Sequence, residues 1–495
     1  MAIYSNQTNT KESALHTRTR LYAAIGLLSA LPSLAAYAAD DGLQQRIARV
    51  EQGLLPAVSL EGAPPAKRKL AEEMARLGVP GVSIAVIHGG EVEWAKGYGA
   101  VTPGGAPVST STLFQAASIS KPVAAMGALK MVEEGKLELD RDVNSYTAVW
   151  KLPKDADNNA VTLRQLLSHT AGTTVHGFPG YAAGAPVPTL VQLLNGAKPA
   201  NTGGVHVNTR PGSRWRYSGG GYQVAQYVMT ERSKTPFTEL MQDKVLKPLA
   251  MTDSTFAQPL PPSLLARAAL PHDRSGKPIP GGPHTYPEQA AAGLWTTPSD
   301  LAKFAIETRR SAAGQSNAVL SQAMTHLMLT PVLQSYGLGL GTDGEGQNQN
   351  FGHGGSNAGY RARMTAYTER GDGVVVMTNG DGGAELADEL VRAVAAEYGW
   401  PTMGTKVRRN VALKADALDA LPGRYVIAGA GDFTIRRAGE GLVVELRQGA
   451  GETLLAAPSG SYFVQSSEAE LQFTGKDSGR FTHGTFDMPF SRAKE

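Results

Sequence analysis

Phe114-Gln115-Ala116-Ala117-Ser118-Ile119-Ser120-Lys121-Pro122 is where an apolar, strand-like lead-in gives way to a helix-like run, Val123 to Glu134, that Gly135 stops. Ser118 and Lys121 are three residues apart, so on a helix their side chains share a face. A serine hydroxyl is a poor nucleophile at neutral pH, and an amine at that spacing can help remove its proton. The start of a helix adds a partial positive charge that favours an alkoxide or an oxyanion above it. The spacing alone decides little, because Ser491 and Lys494 repeat it in the C-terminal tail, where no chemistry is expected.

The rest of the chain bounds what this stretch can do. With 495 residues and 42% apolar content it can bury a large core, and its length suggests two or three domains. The formal net charge is only +3, which gives no electrostatic reason to expect nucleic acid or an anionic membrane as a partner. A small molecule or peptide is the better substrate class, and oligomeric state is left open.

Residues 1–38 read as an export signal: a polar, basic region to Arg20, an apolar run from Leu21 to Ala35, and a small-x-small site at Ala36-Tyr37-Ala38. The run is shorter than the roughly 20 residues that cross a bilayer, and it contains Pro32, so cleavage is expected rather than an anchor. A periplasmic or secreted protein follows, with no transmembrane segment in its mature form. There are no cysteines, which excludes disulfides, thiolate metal sites and a cysteine nucleophile. The ten histidines show no HExxH-type spacing, so neither metal nor cofactor is expected.

Helices are expected from Asp41 to Leu54 and from about Ala66 to Leu77. A hairpin joins Val82–Ile87 to Glu91–Tyr98 across His88-Gly89-Gly90. Further helices are expected over Thr162–Ser168, from Tyr222, from Ser299 with Pro298 and Ser299 as its start, and over Glu385–Tyr398. Strands are expected over Gly359–Tyr367 and Gly373–Asn379. From about Thr405 the pattern changes to short alternating runs between glycine turns: Arg424–Ala428, Phe433–Arg437, Leu442–Arg447, Tyr462–Ser466, Leu471–Phe473 and Arg480–Phe486. Residues 405–495 therefore read as a small antiparallel β domain, barrel or sandwich.

Two more patches bear on Ser118. Tyr217-Ser218-Gly219 lies in Trp215-Arg216-Tyr217-Ser218-Gly219-Gly220-Gly221-Tyr222, where glycines before a helix can present a phenol at a loop tip. Alone, Tyr217 is more simply one of 16 tyrosines capping a core. Gly352-His353-Gly354-Gly355-Ser356-Asn357-Ala358-Gly359-Tyr360 offers small residues suited to a strand edge along which a substrate backbone lies closely. Alone, it is equally a glycine-rich turn.

In this order, SxxK, then Tyr-Ser-Gly, then His-Gly-Gly, the chain resembles the penicillin-binding-protein-like serine hydrolases. That family includes class C β-lactamases, D-alanyl-D-alanine carboxypeptidases, D-aminopeptidases and family VIII carboxylesterases. Thr162-Leu163-Arg164-Gln165-Leu166-Leu167-Ser168-His169-Thr170-Ala171-Gly172, Lys247-Pro248-Leu249-Ala250-Met251 and Ala292-Gly293-Leu294-Trp295-Thr296-Thr297-Pro298-Ser299-Asp300-Leu301 carry the likeness further, over roughly 68–398. The β domain resembles the lipocalin-like C-terminal modules of some members.

The resemblance implies an α/β (α+β) fold over residues 39–404, with an antiparallel sheet flanked by helices plus an all-helical subdomain. It implies that Ser118 forms an acyl-enzyme which water hydrolyses, and that Lys121 and Tyr217 shuttle the proton. His353 would orient substrate or tune the proton network. Gly355 and Ser356 belong to the substrate-facing strand, with the backbone N–H groups of Ser118 and Ser356 as the oxyanion hole. His169 is read as a structural turn residue.

Two departures shift the expected chemistry. Gly219 stands where β-lactamases and peptidases often carry an asparagine, and His353 stands where many relatives carry a lysine. A neutral histidine holds a carboxylate less firmly than a permanent cation. Both favour a peptidase, amidase or esterase over an efficient β-lactamase or penicillin-binding protein. The reading from another class is a non-catalytic member that binds cell wall. Gly339-Leu340-Gly341-Thr342-Asp343-Gly344 matches GxGxxG, but the polar loop after it excludes a dinucleotide fold. No serine lies in a GxSxG elbow. The loops around Thr173–Gly204 and Pro259–His284 are expected to shape the cleft.

Overall fold

The computed structural model describes residues 31–495 apart from 65, 155–156, 158, 428–430, 447–450, 484–485 and 494–495. Most of the export segment read in 1–38 thus lies outside the described residues, as do Ala428, Arg447 and Lys494. The chain divides into two units at Gln52. In the first, the helix expected over Asp41–Leu54 spans Leu31–Glu51. Among the described residues no helix is long and apolar enough to cross a membrane.

The second unit is built on a six-stranded antiparallel sheet. In chain order its strands are β1 (Gly81–His88), β2 (Glu91–Gly99), β3 (Gly341–Asp343), β4 (Asn350–Asn357), β5 (Tyr360–Tyr367) and β6 (Gly373–Thr378), and in space they run β2-β1-β6-β5-β4-β3. β1 and β6 are buried almost throughout, so the sheet is covered on both faces. Ala85 and Ile87 of β1 join one core with Phe304 of the helix Pro298–Ala312. Ile84 and Val86 point the other way by the period of a strand. The helix Gly383–Glu397 packs on β5 and β6 with Leu386, Leu390 and Val394 buried.

The helix Ser120–Glu133, which follows Ser118, is buried on nearly every side, which places an all-round apolar helix at the centre of the core. It packs against the helix Gly219–Ser233 and the short helix Gln289–Ala292. Where the observed elements differ from expectation, the causes are local. The helix expected over Ala66–Leu77 is only Leu70–Arg76, because the backbone of Arg68 exchanges two hydrogen bonds with Leu54. The helix expected to open at Tyr222 opens at Gly219, because the Ser218 side chain caps it by accepting from the Gly221 N–H. Its glycines are therefore the first helical turn, not the loop before it. A Cβ on Gly220 would lie 2.5 Å from the Thr174 carbonyl oxygen. The cap of Pro298–Ala312 is Thr297, one residue before the expected start.

At the C-terminus eight antiparallel strands between Gly423 and Arg492 close into a barrel, the first pairing with the last. Its interior is filled by side chains: Tyr425 stacks on Phe433 at 5.0 Å between ring centroids, and Phe490 meets both edge-on. A cavity of about 10 Å³ between Val444, Leu454, Leu471 and Phe481 is no more than room for one water. Two strands escaped expectation. Glu452–Ala456 lacks clean alternation because Leu454 faces the barrel core while Leu455 packs beside Ala57, Val58 and Phe463. Phe486–Arg492 contains Pro489, a residue that argues against a strand. Ser491, the chance match of the tail, lies in that last strand. The barrel is fastened to the segment before the sheet. Val58–Leu60 pairs in parallel with Lys406–Arg408, and the Val58 N–H donates to the Gln465 carbonyl at 3.0 Å.

Candidate active site

Phe114–Gln115 pairs with Trp295–Thr296, and the chain then turns through a 3-10 segment, Ala117–Ile119, into the helix Ser120–Glu133. Ala117 is held in the left-handed region at φ +50°, a conformation costing about 1 kcal/mol or more in alanine and typical of functional turns. The turn is locked from below. The Ser120 hydroxyl donates to the Ala117 carbonyl at 2.6 Å and accepts from the Leu294 N–H at 2.9 Å. This leaves Ser118 half-buried at the surface of the core.

Lys121 Nζ lies 3.0 Å from Ser118 Oγ and donates to the Ala291 carbonyl at 2.8 Å. The lysine is 2% exposed, and among the described residues no carboxylate is paired with it. Burial alone pushes its pKa down to about 7. Near neutrality a large fraction of this amine is therefore unprotonated and able to accept a proton. The Tyr217 phenol shares a hydrogen bond with Ser118, and desolvation holds its pKa well above the usual phenol range. Its ring centre is 4.9 Å from Lys121 Nζ. Ser118, Lys121 and Tyr217, distant in sequence, thus form one contiguous group.

Tyr217 is delivered by an irregular segment pinned to its surroundings. The Arg216 guanidinium donates to the Gly172 and Thr173 carbonyls, each at 2.8 Å. The Arg216 N–H donates to the His169 carbonyl at 2.8 Å, and the Ser218 N–H to His169 Nδ1 at 3.1 Å. His169 is a turn residue, as expected, with φ +60°, but its ring also lies 4.2 Å from that of Tyr217.

The strand β4 supplies the other wall. β3 covers only Asn350–Gly352 of it, so the edge over His353–Asn357 has no β3 neighbour, and its first two residues, His353 and Gly354, line a cleft. The Asn357 amide donates to Gln115 Oε1 at 2.7 Å and to the Ala292 carbonyl at 3.1 Å, tying that edge to the segment that leads into the Ser118 turn. Gly355 is where the two come closest: a Cβ there would sit 2.3 Å from the Ala116 carbonyl oxygen. Gly355→Ala is accordingly expected to push the strand off the turn, lowering stability by about 1–3 kcal/mol and turnover with it. An unchanged urea midpoint would contradict this.

His353 is already engaged inside the protein. Its Nδ1 lies 2.6 Å from the Gly354 carbonyl, which only accepts, so Nδ1 carries the proton and Nε2 accepts from the Tyr336 hydroxyl at 3.1 Å. Burial and the nearby Lys121 charge push the His353 pKa down to about 3, so the ring is neutral over the working pH range. It positions Tyr336 rather than presenting a cation. Beside it lies a cleft of about 260 Å³, walled by Trp215, Tyr217, Tyr336 and His353 over Gly341 and Gly352, with no charged side chain in its lining.

Gly219 also has a structural reason. A side chain there would meet the Phe178 ring at 2.6 Å, so the space an asparagine would occupy is taken. Tyr336, Phe178 and the Ala291 carbonyl are the site components that sequence reasoning missed. The first two lie in loops without a periodic signal, and the third is backbone.

A family model described as "Beta-lactamase" matches residues 66–398. The Protein flp of Staphylococcus aureus is 27% identical over 222 residues, 45% of this chain and 42% of that protein, so the chain spans less than half the length of that curated relative. Among solved structures, the octameric penicillin-binding protein homologue from Pyrococcus abyssi superposes with a TM-score of 0.58 at 22% identity, covering 85% of this chain and 98% of that one. The D-amino acid amidase from Ochrobactrum anthropi SV3, complexed with L-phenylalanine amide, does so with a TM-score of 0.52 at 21% identity, covering 67% and 98%. These structural likenesses concern the fold.

Proposed function

The chain belongs to the beta-lactamase family, residues 66–398 matching its model, and on that premise we propose that it is an exported serine hydrolase acting through an acyl-enzyme on Ser118. The observation that carries the proposal is Lys121 Nζ, 3.0 Å from Ser118 Oγ and tuned by burial to a pKa of about 7. In the reaction, Ser118 Oγ attacks an amide or ester carbonyl while its proton passes to the unprotonated Lys121 amine, directly or through the neutral Tyr217 phenol, which gives up its own proton as it receives one. The backbone N–H groups of Ser118 and Ser356 receive the oxyanion, each worth about 3 kcal/mol in the transition state. The proton passes to the leaving amine or alcohol, and a water deprotonated by the same pair releases the acid.

The cleft supports an uncharged substrate group. Its lining bears no cation and His353 is neutral, so a substrate carboxylate finds no fixed partner there. With Phe178 against Gly219, this favours amides and esters, D-amino-acid amides among them, over β-lactams and peptides with a free terminal carboxylate. The amidase neighbour is in keeping with that preference. The alternative of a non-catalytic cell-wall-binding protein does not call for a depressed lysine beside a serine.

The test is a panel of D-amino-acid amides, short-chain p-nitrophenyl esters and nitrocefin on the mature protein, whose N-terminus should be Ala39 after secretion. Amides or esters should exceed nitrocefin in kcat/KM by about tenfold or more, the magnitude of one lost charge-assisted contact. Nitrocefin as the best substrate would restore the β-lactamase reading. No turnover of any member, with saturable binding to cell-wall fragments, would establish the binding reading.

A further inference from the structure

A phenol that exchanges a proton with Ser118 must stay within hydrogen-bond reach of it, and irregular chain does not hold a side chain that tightly unaided. Tyr217 stands on such chain, two residues before the helix Gly219–Ser233 and next to its cap, Ser218. We propose that His169 is the positioning residue that clamps Tyr217 for proton transfer, an inference that rests on the reading of Ser118 as the acylated nucleophile.

The geometry is that of a two-sided clamp. The residues before and after Tyr217 are both bound to His169: Arg216 N–H to its carbonyl at 2.8 Å, Ser218 N–H to its Nδ1 at 3.1 Å. Between these bonds the His169 ring packs on the Tyr217 ring, 4.2 Å between centroids and tilted by 36°. The clamp is itself rigid. His169 is 2% exposed, and the next residue, Thr170, accepts from Gly212 N–H at 2.7 Å and donates its own N–H to the Gln165 carbonyl at 2.9 Å.

A turn by itself does not call for an imidazole here. Glycine or asparagine adopts φ near +60° at lower cost. Because Nδ1 accepts from Ser218, the proton of the neutral ring sits on Nε2. That atom is buried with no hydrogen-bond partner among the described residues, an unfavourable arrangement for a polar group. The His169 ring lies among those of Tyr217, Tyr222 and Tyr336, at 4.2, 5.4 and 5.0 Å between centroids. Protonating Nδ1 would turn an acceptor into a donor facing the Ser218 N–H. Burial and the Lys121 charge oppose this by holding the His169 pKa well below its ordinary value. What the imidazole adds to a plain turn is an acceptor and a flat face, both directed at the residue that bonds Ser118.

The test separates these contributions in the full chain, with a p-nitrophenyl ester as reporter. His169→Phe keeps the flat face and removes the acceptor; kcat is expected to fall by about 10- to 100-fold, with KM changed by less than about threefold. His169→Asn restores an acceptor near the Nδ1 position and suits the backbone, and should stay within about fivefold of wild type in kcat. Fluorophosphonate labelling of Ser118 should slow in the same order. An unchanged kcat in His169→Phe, equal losses in both variants, or losses that only track the unfolded fraction in a urea titration would overturn the clamp and leave the acyl-enzyme reading standing. Failure of the wild-type protein to label at Ser118 would overturn that reading, and the clamp with it.

Discussion

Replacing Lys121 by methionine is expected to abolish most turnover and yet make the protein more stable at pH 7. The two effects have one cause. Lys121 is fully buried, without a carboxylate partner among the described residues, and burial pushes its pKa from 10.5 to about 7. Between those two values the unfolded chain binds a proton that the folded chain does not, so stability climbs as pH rises from about 7 towards 10. Methionine has similar length and no charge to desolvate. Against this stands the loss of the bond to the Ala291 carbonyl, worth about 1 kcal/mol. The net expectation is a gain of about 2 kcal/mol at pH 7, shrinking towards pH 10, read by urea titration at both values. Turnover should fall by about 10²- to 10⁴-fold, the usual contribution of a general base. In the wild-type protein the acylation rate should rise with pH through about 7, as Lys121 loses its proton. A Lys121→Met protein that is less stable at pH 7 would identify a lysine held for structure.

Ser118→Ala should have the larger kinetic effect and almost no effect on folding. Ser118 Oγ meets Lys121 Nζ at 3.0 Å and shares a hydrogen bond with the Tyr217 phenol. No other nucleophile takes its place: the chain has no cysteine, and Ser120, the other hydroxyl of the turn, is fully buried and bonded to the Ala117 carbonyl. A loss of about 10⁴- to 10⁶-fold in kcat is expected, as when an acylated serine is removed elsewhere. Ser118 is half-buried in a turn set by Ser120 and Ala117, so the change in stability should stay within about 1 kcal/mol. Hydrolysis of p-nitrophenyl esters by wild type and variant, with urea midpoints for both, separates the two effects.

The serine and lysine were legible because they lie one helical turn apart, so their shared face follows from spacing. The link to Tyr217 and His353 rested on the order of three motifs; their distances are set by the fold. Physical causes outside any local window account for what was not legible. His169 showed only as the end of a short helix, since its grip on Tyr217 runs through backbone groups 47 to 49 positions away, at Arg216 and Ser218. Tyr336 reaches His353 from an irregular loop. The sheet hairpin was read nearly residue for residue, because alternation and a glycine turn are local. Barrel closure was not, because it depends on Tyr425, Val426 and Ile427 pairing with the last strand some 65 residues on. Glu452–Ala456 hid for a related reason: Leu455, on the same face as the exposed Thr453, packs on Ala57 and Val58 from the far end of the chain, so the face away from the barrel core is not uniformly polar.

An acyl-enzyme requires a covalent bond at Ser118, which intact-protein mass spectrometry detects. Wild-type protein quenched in acid during turnover of a slow p-nitrophenyl ester should gain the mass of the acyl group. Peptide mapping should place that mass on Ser118, and Ser118→Ala should show none. Turnover with no added mass at any time point, or acylation that persists in Ser118→Ala, would contradict the account.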